Sequence, residues 1–133
     1  METPLSEVRS HRDLIAWHRG MDLVGAIYSV TKSMPESERF GLTSQLRRAS
    51  VSVPSNIAEG YGRGTTKDYV RFLRAARGSL YEIDTQLLLA VKLNFATQLA
   101  AQPAFDLVGE CSRILVALIR SLEDRSNSVR ERT

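Results

Sequence analysis

Apolar residues recur every three or four positions along most of this sequence, which is the spacing of one face of an α-helix. The first such stripe consists of Leu14, Trp17, Met21, Val24 and Tyr28. A second stripe in the same segment, formed by Leu23, Ile27 and Val30, widens the face predicted to be buried. Further along, the same spacing runs from Tyr69 to Val91 and again from Val108 to Leu122. The pattern predicts three amphipathic helices.

Residues that commonly begin or end helices lie beside these stripes. Asp13 precedes the first stripe and is predicted to cap its helix. Pro35 is predicted to end that helix, because the residue before a proline is disfavoured in the α conformation. Thr65 or Thr66 is predicted to cap the helix that starts near Tyr69. Pro103 is assigned to the first position of the last helix, where its missing N–H would have no partner anyway.

The segment VSVPSNIAEG, residues 51–60, allows two interpretations. Val51 and Val53 alternate as in a strand, and Pro54 could break a helix. However, a helical stripe passes through the proline without a change of phase, formed by Leu42, Leu46, Ala49, Val53, Asn56 and Gly60. A helix starting afresh at the proline would be too short to be stable alone. We therefore predict one helix from about Phe40 to Tyr61, kinked at Pro54, with a break there as the alternative.

Four helices with short connections predict an all-α fold, an antiparallel up-down-up-down four-helix bundle. The 133 residues are the size of one domain. We assign the bundle to residues 12–125, an N-terminal extension to residues 1–11 and a frayed polar tail to residues 126–133. No run of about 18 apolar residues is present, so no membrane span is predicted. The single cysteine, Cys111, fits a cytoplasmic protein.

The face of the second helix opposite its main stripe is also apolar, where a monomeric bundle would place polar residues. It consists of Val51, Pro54, Ala58 and Tyr61. These residues predict a subunit interface, and scattered apolar surface residues are the alternative. Asn56, on the main stripe, is the kind of buried amide that fixes register or oligomeric state.

The charge of the chain is unevenly distributed. The net charge is +3, yet the segment from Arg39 to Arg77 holds eight basic residues against two acidic ones, a net of +6. Fifteen of the 18 basic residues are arginine, whose guanidinium makes forked contacts with phosphate. The segment predicts phosphate contacts to a nucleic acid by Arg47, Arg48, Arg63, Lys67, Arg71 and Arg74. The alternative is a set of solvated helix faces joined by salt bridges, such as one between Arg77 and Asp84.

Three patterns that could carry chemistry lead to no catalytic or metal site. Residues 60–67, GYGRGTTK, resemble a phosphate-binding loop, but they lack the Walker spacing and no strand precedes them, so a turn with at most a weak anion site is predicted. His18 and Asp22 share a helix face, without a third ligand or a nucleophile beside them. Cys111 lies on an apolar stripe and is predicted to be a core residue. The sequence therefore predicts no enzyme, no metal and no cofactor.

Four runs of the sequence resemble the 23S rRNA intervening-sequence proteins, a family of four-helix-bundle proteins. They are DLIAW at 13–17, RFGLTSQLRR at 39–48, VPSNIAEGYG at 53–62 and FLRAARGSL at 72–80. The similarity extends over residues 12–124, and the length of the third run makes it specific. The last helix matches the family only in its apolar spacing and in the run LIRSL near its end.

This resemblance implies a bacterial, cytoplasmic bundle that assembles as a homopentameric ring and has no established enzymatic activity. The role of most family members is unknown, and some are encoded within insertions in the large-subunit ribosomal RNA gene. A related group partners the reverse transcriptase of diversity-generating retroelements and has a basic, nucleic-acid-binding surface.

Two hypotheses for function follow from the residues and the resemblance together. The first is a non-catalytic, oligomeric protein that binds nucleic acid, with RNA favoured over DNA, through phosphate contacts. The second is a protein-interaction scaffold, in which the ring binds another protein and the arginines form salt bridges between subunits.

Overall fold

The computed structural model describes residues 7–132, and the side chains of residues 7–128. Its four long helices are α1 (Ile15–Lys32), α2 (Leu42–Tyr61), α3 (Thr66–Lys92) and α4 (Gln98–Arg132). Two short 3-10 helices, His11–Asp13 and Glu36–Glu38, precede α1 and α2. Each long helix packs against the next in sequence, and α4 packs back against α1. The predicted all-α, up-down four-helix bundle is confirmed.

The buried face of α1 differs from the prediction. Leu23, Ile27 and Val30 lie in the core, whereas Met21 is 47% and Tyr28 is 42% exposed. The stripe that contains Leu23, which we expected only to widen the buried face, is therefore the centre of that face. The stripe that contains Met21 and Tyr28 lies at the edge of the buried face. Spacing alone does not distinguish these two stripes, because they differ by only a small rotation about the helix axis.

Helix α2 is continuous through Pro54, so the predicted single helix is confirmed and the alternative break is wrong. The prediction that Pro54 lies on the outer face is also wrong, because this residue is buried. A Cβ atom added at Gly20 of α1 would lie 3.4 Å from the Pro54 ring, so the two helices approach closely here. The buried line of α2 runs through Ile57 rather than Asn56, and one residue turns the helix by about 100°.

Asn56 accordingly lies at the edge of the core rather than within it. Its side-chain amide donates a hydrogen bond to the backbone oxygen of Ser52, one turn earlier in the same helix. One N–H of the amide is thus bonded within α2. Its predicted role in fixing the register between helices has no support from this contact.

Two of the predicted helix starts need correction. Asp13 does not cap α1, because its carboxylate accepts hydrogen bonds from the backbone N–H groups of Arg9 and Ser10. Pro103 is not the first residue of α4 but lies inside it, and the Thr97 hydroxyl accepts a hydrogen bond from the backbone of Ala100 at the actual start. The cap of α3 at Thr65 is confirmed, since its hydroxyl accepts from the Asp68 N–H.

The last helix continues to Arg132, so residues 126–132 are helical and not a separate tail in backbone conformation. Fraying of this segment stays a prediction. Among residues 7–132, no helix combines the length and the apolar character needed to cross a membrane.

The Cys111 side chain lies in the core, where burial raises the pKa of the thiol to about 12. Only the thiolate reacts readily with disulfide reagents. We expect the native protein to resist modification by such a reagent at neutral pH and to react fully in concentrated guanidinium chloride, as followed by absorbance. Rapid reaction of the native protein would contradict the buried placement.

Candidate nucleic-acid interface

A basic cluster lies where α2 ends and α3 begins, and the local backbone explains its position. The Gly62 N–H bonds back to the Ala58 oxygen, and Gly64 has a φ of +88°, a left-handed conformation that favours glycine. The turn is short, so Arg63 lies against the first turns of α3. The predicted turn at residues 60–67 agrees with this geometry.

Two arginines flank one aromatic ring in this cluster. The guanidinium carbon of Arg63 lies 4.9 Å from the centre of the Phe72 ring, and that of Arg71 lies 4.6 Å from it. Each arginine also contacts a carboxylate, Arg63 with Glu59 at 3.5 Å and Arg71 with Asp68 at 3.4 Å. The ring and the carboxylates hold both guanidinium groups at the surface.

A groove of about 450 Å³ lies beside this cluster, between the first turns of α3 and the last turns of α4. Its basic residues are Lys67, Arg71 and Arg74, which are spaced to lie on one face of α3. From α4 come Glu123, Ser126 and Asn127. Arg74 donates a 2.8 Å hydrogen bond to the Glu123 carboxylate, which connects the two walls.

The structure separates the six predicted phosphate contacts into two groups. Arg63, Lys67, Arg71 and Arg74 lie together at the turn and along the groove, whereas Arg48 lies about 20 Å of helix before the end of α2. Arg47 is used inside the chain: its Nε donates to the Thr31 hydroxyl at 2.9 Å and its guanidinium lies 4.4 Å from the Tyr28 ring centre. The candidate interface therefore consists of the four residues of the first group, which we call the α3 basic cluster.

The cations of the α3 basic cluster are partly balanced by three carboxylates. The paired side chains of the Arg63–Glu59, Arg71–Asp68 and Arg74–Glu123 bridges are between 41% and 63% exposed. Exposed pairs of this kind contribute only about 0–1 kcal/mol each. A phosphate can therefore compete for the guanidinium groups at a small cost.

Phe72 and Glu123 also belong to this site, although the sequence does not predict it. Phe72 follows Arg71 directly and lies in one of the runs that carry the family resemblance, while Glu123 is 49 residues from its partner Arg74. The predicted alternative pair of Arg77 with Asp84 does not occur among the ion pairs of residues 7–128 within 4.0 Å. The Arg77 and Asp84 side chains instead line a common cavity between α3 and α4.

The predicted interface residues of α2 also divide into two groups. Val51 is 43% exposed and Ala58 is partly exposed, whereas Tyr61 packs on the core with its ring edge-on to Tyr69, 5.9 Å between ring centres. Pro54 is buried, as described above. Val51 lies on the α1 side of α2, since its neighbour Arg47, one turn earlier, reaches Thr31 and Tyr28.

An exposed apolar strip consequently runs along the junction of α1 and α2. It contains Met21 and Tyr28 from α1 and Val51 and Ala58 from α2, and we call it the α1–α2 strip. This arrangement extends the predicted interface to a second helix.

No group of three or more His, Cys, Asp or Glu residues within the described chain could hold a metal ion.

A solved structure shares this architecture. It is a crystal structure of a protein of unknown function from the S23 ribosomal protein family of Bacteroides thetaiotaomicron, with a TM-score of 0.73 and 19% sequence identity. The match covers 79% of this chain and 98% of that one, and at this identity it shows the fold. None of the curated proteins matches the sequence.

The model of one protein family matches most of the chain. Its description is 23S rRNA-intervening sequence protein, and the matched residues are 12–117, which include α1, α2, α3 and the first half of α4. This range agrees with the extent of the resemblance found in the sequence. The chain belongs to the 23S rRNA-intervening sequence protein family.

Proposed function

We propose that the chain is a non-catalytic, oligomeric nucleic-acid-binding protein that contacts phosphate groups, those of RNA in preference to DNA, through the α3 basic cluster. The observation that carries this proposal is the groove of about 450 Å³ beside that cluster. Three basic side chains on one face of α3 line it, and the Ser126 and Asn127 side chains of α4 add hydrogen-bonding groups. Such contacts give affinity with little reading of base sequence.

The refined site differs from the six residues predicted from sequence. Arg63, Lys67, Arg71 and Arg74 remain, and Arg48 stays a separate prediction on the surface of α2. Arg47 contributes less to phosphate binding than expected, because a new contact would break its bond to Thr31 and its stacking on Tyr28.

Reversing the charge of Arg71 should weaken binding to nucleic acid. We expect Arg71→Glu to reduce affinity for a labelled RNA strand by about tenfold and to lower the salt dependence by about one phosphate contact. Anisotropy titrations between ~50 and ~200 mM salt measure both quantities.

Arg39 offers a matched control for this variant. Like Arg71, it is exposed and pairs with an acidic residue three positions earlier, Glu36 at 3.5 Å, but it lies at the opposite end of the bundle. The Arg39→Glu variant changes the net charge equally and should bind as the parent does. Equal weakening by both variants would mean that only net charge matters, and the proposed site would be wrong.

A second candidate function, the interaction scaffold, is favoured by the α1–α2 strip. Apolar side chains that remain exposed along two neighbouring helices are typical of surfaces that bind another protein or another copy of the chain. Assembly through this strip, as a homopentamer by family resemblance, is compatible with the first proposal, because the α3 basic cluster lies on other helices. A scaffold without nucleic-acid binding would retain the assembly and show no salt-dependent binding to RNA.

A further inference from the structure

The groove between α3 and α4 contains a second cavity beyond the one at the α3 basic cluster. This second cavity has a volume of about 220 Å³ and is lined by Arg77, Tyr81 and Asp84 of α3 and by Phe105 and Gly109 of α4, among others. It begins one helical turn after Arg74, which lines the first cavity. The two cavities therefore follow each other between the same two helices.

Basic side chains connect the two cavities along α3. Lys67, Arg71, Arg74 and Arg77 are spaced by four, three and three residues, so they lie along one side of the helix. Tyr81 follows four residues later. From Lys67 to Tyr81 the helix rises about 21 Å, at 1.5 Å per residue.

Two features of the second cavity suit a ligand. The Arg77 side chain lines it and forms no ion pair within 4.0 Å among residues 7–128. Tyr81, whose ring centre lies 5.9 Å from the Arg77 guanidinium carbon, is 62% exposed although it lines the cavity. A guanidinium group without an ion pair beside an open aromatic ring suits a ligand that is both anionic and planar.

We propose that the partner is single-stranded nucleic acid, that it lies along the α3–α4 groove, and that one unpaired base stacks on Tyr81. This inference rests on the proposed function and names its substrate class. The phosphates contact Lys67, Arg71 and Arg74 in the first cavity, and Arg77 binds the phosphate or base next to the stacked ring. The second cavity, with its volume of about 220 Å³, accommodates one planar base.

The geometry favours a single strand over a duplex. Bases in a duplex are stacked on their neighbours and present only their edges, so they offer no free face to Tyr81. Stacking on an aromatic side chain tolerates any base, because every base has a π face. The carboxylates of Asp68, Asp84 and Glu123 also line the groove, which limits the gain from phosphate contacts alone and makes stacking a larger share of the affinity.

The test compares Tyr81→Ala with Tyr81→Phe, using a labelled RNA strand, the corresponding DNA strand and the same strands annealed to their complements. We expect the parent to bind single strands more tightly than duplexes. Tyr81→Ala should weaken single-strand binding about 10- to 100-fold, and Tyr81→Phe, which keeps the ring, should bind within about twofold of the parent. Quenching of a fluorescent adenine analogue in the strand should be lost with the ring.

Leu88 provides a matched control on the same helix. It is also a large exposed apolar residue, 53% exposed, but it lines neither cavity, so Leu88→Ala should bind as the parent does. If Tyr81→Ala binds like the parent while Arg71→Glu still weakens binding, the single-strand path is wrong and the proposed function stands. Equal affinity of the parent for duplexes and single strands would also contradict the proposed single-strand path. Absence of binding to any strand at low salt would overturn both proposals.

Discussion

Replacing Gly60 by alanine is expected to destabilise the protein by about 1–3 kcal/mol, although alanine is the better helix former. A methyl group at this position would lie 2.6 Å from the Cβ of Phe72 and 3.2 Å from the backbone oxygen of Tyr69. Both atoms are fixed to the α3 backbone, so α2 and α3 would have to separate at the turn. Gly60 thus allows the close approach that brings Arg63 and Phe72 together.

Gly78 gives the opposite result and serves as the matched control. It lies in the middle of α3, is exposed, and a methyl group there would meet no atom within 4 Å. Gly78→Ala should therefore stabilise the helix by about 0.5–1 kcal/mol. Chemical denaturation followed by circular dichroism measures both changes. A Gly60→Ala variant as stable as Gly78→Ala would show that the two helices are not in close contact at the turn.

Replacing Val51 by aspartate is expected to dissociate the proposed oligomer while leaving the fold intact. Val51 is 43% exposed in the single chain, so the carboxylate remains solvated in the monomer. In an assembly through the α1–α2 strip the same carboxylate would be buried without a partner, which costs several kcal/mol per interface. Light scattering coupled to gel filtration should report the monomer mass for the variant and a larger mass for the parent.

Ala75→Asp is the control for this experiment. Ala75 is exposed on α3, away from the α1–α2 strip, and the substitution makes the same change from apolar to acidic. It should retain the mass of the parent. A Val51→Asp variant that keeps the full oligomeric mass would exclude the α1–α2 strip as the interface, whatever surface the assembly uses.

The candidate site was only partly predictable from sequence. Four of the six expected phosphate contacts lie together because they flank one short turn, and the sequence shows their proximity directly. Arg47 and Arg48 belong to the same charged segment but not to the same surface, since about 20 Å of helix intervenes. Glu123 could not be predicted as a partner of Arg74, because the register between α3 and α4 depends on how their side chains interlock.

The misplacement of Pro54 has a related cause. An apolar pattern gives the helical period, but the direction of the buried face depends on which residues are counted as apolar. Counting Asn56 in place of Ile57 rotates the predicted buried face of α2 and places Pro54 at the surface instead of in the core. In α1, Met21 and Tyr28 have large apolar side chains and Gly20 has none, so the pattern favours burial of Met21 and Tyr28. Gly20 is nevertheless buried, because α2 approaches closely there.

The four helices, their approximate ends, the bundle and the family follow from the sequence alone, because periodicity, capping residues and a long motif are local properties of the chain. The packing of the helices decides which arginines share a surface, that Arg47 contacts Thr31 and Tyr28, and that two cavities lie between α3 and α4. These depend on the rotation and register of one helix against another. Such relations arise from the packing of side chains far apart in the sequence, which no local pattern encodes.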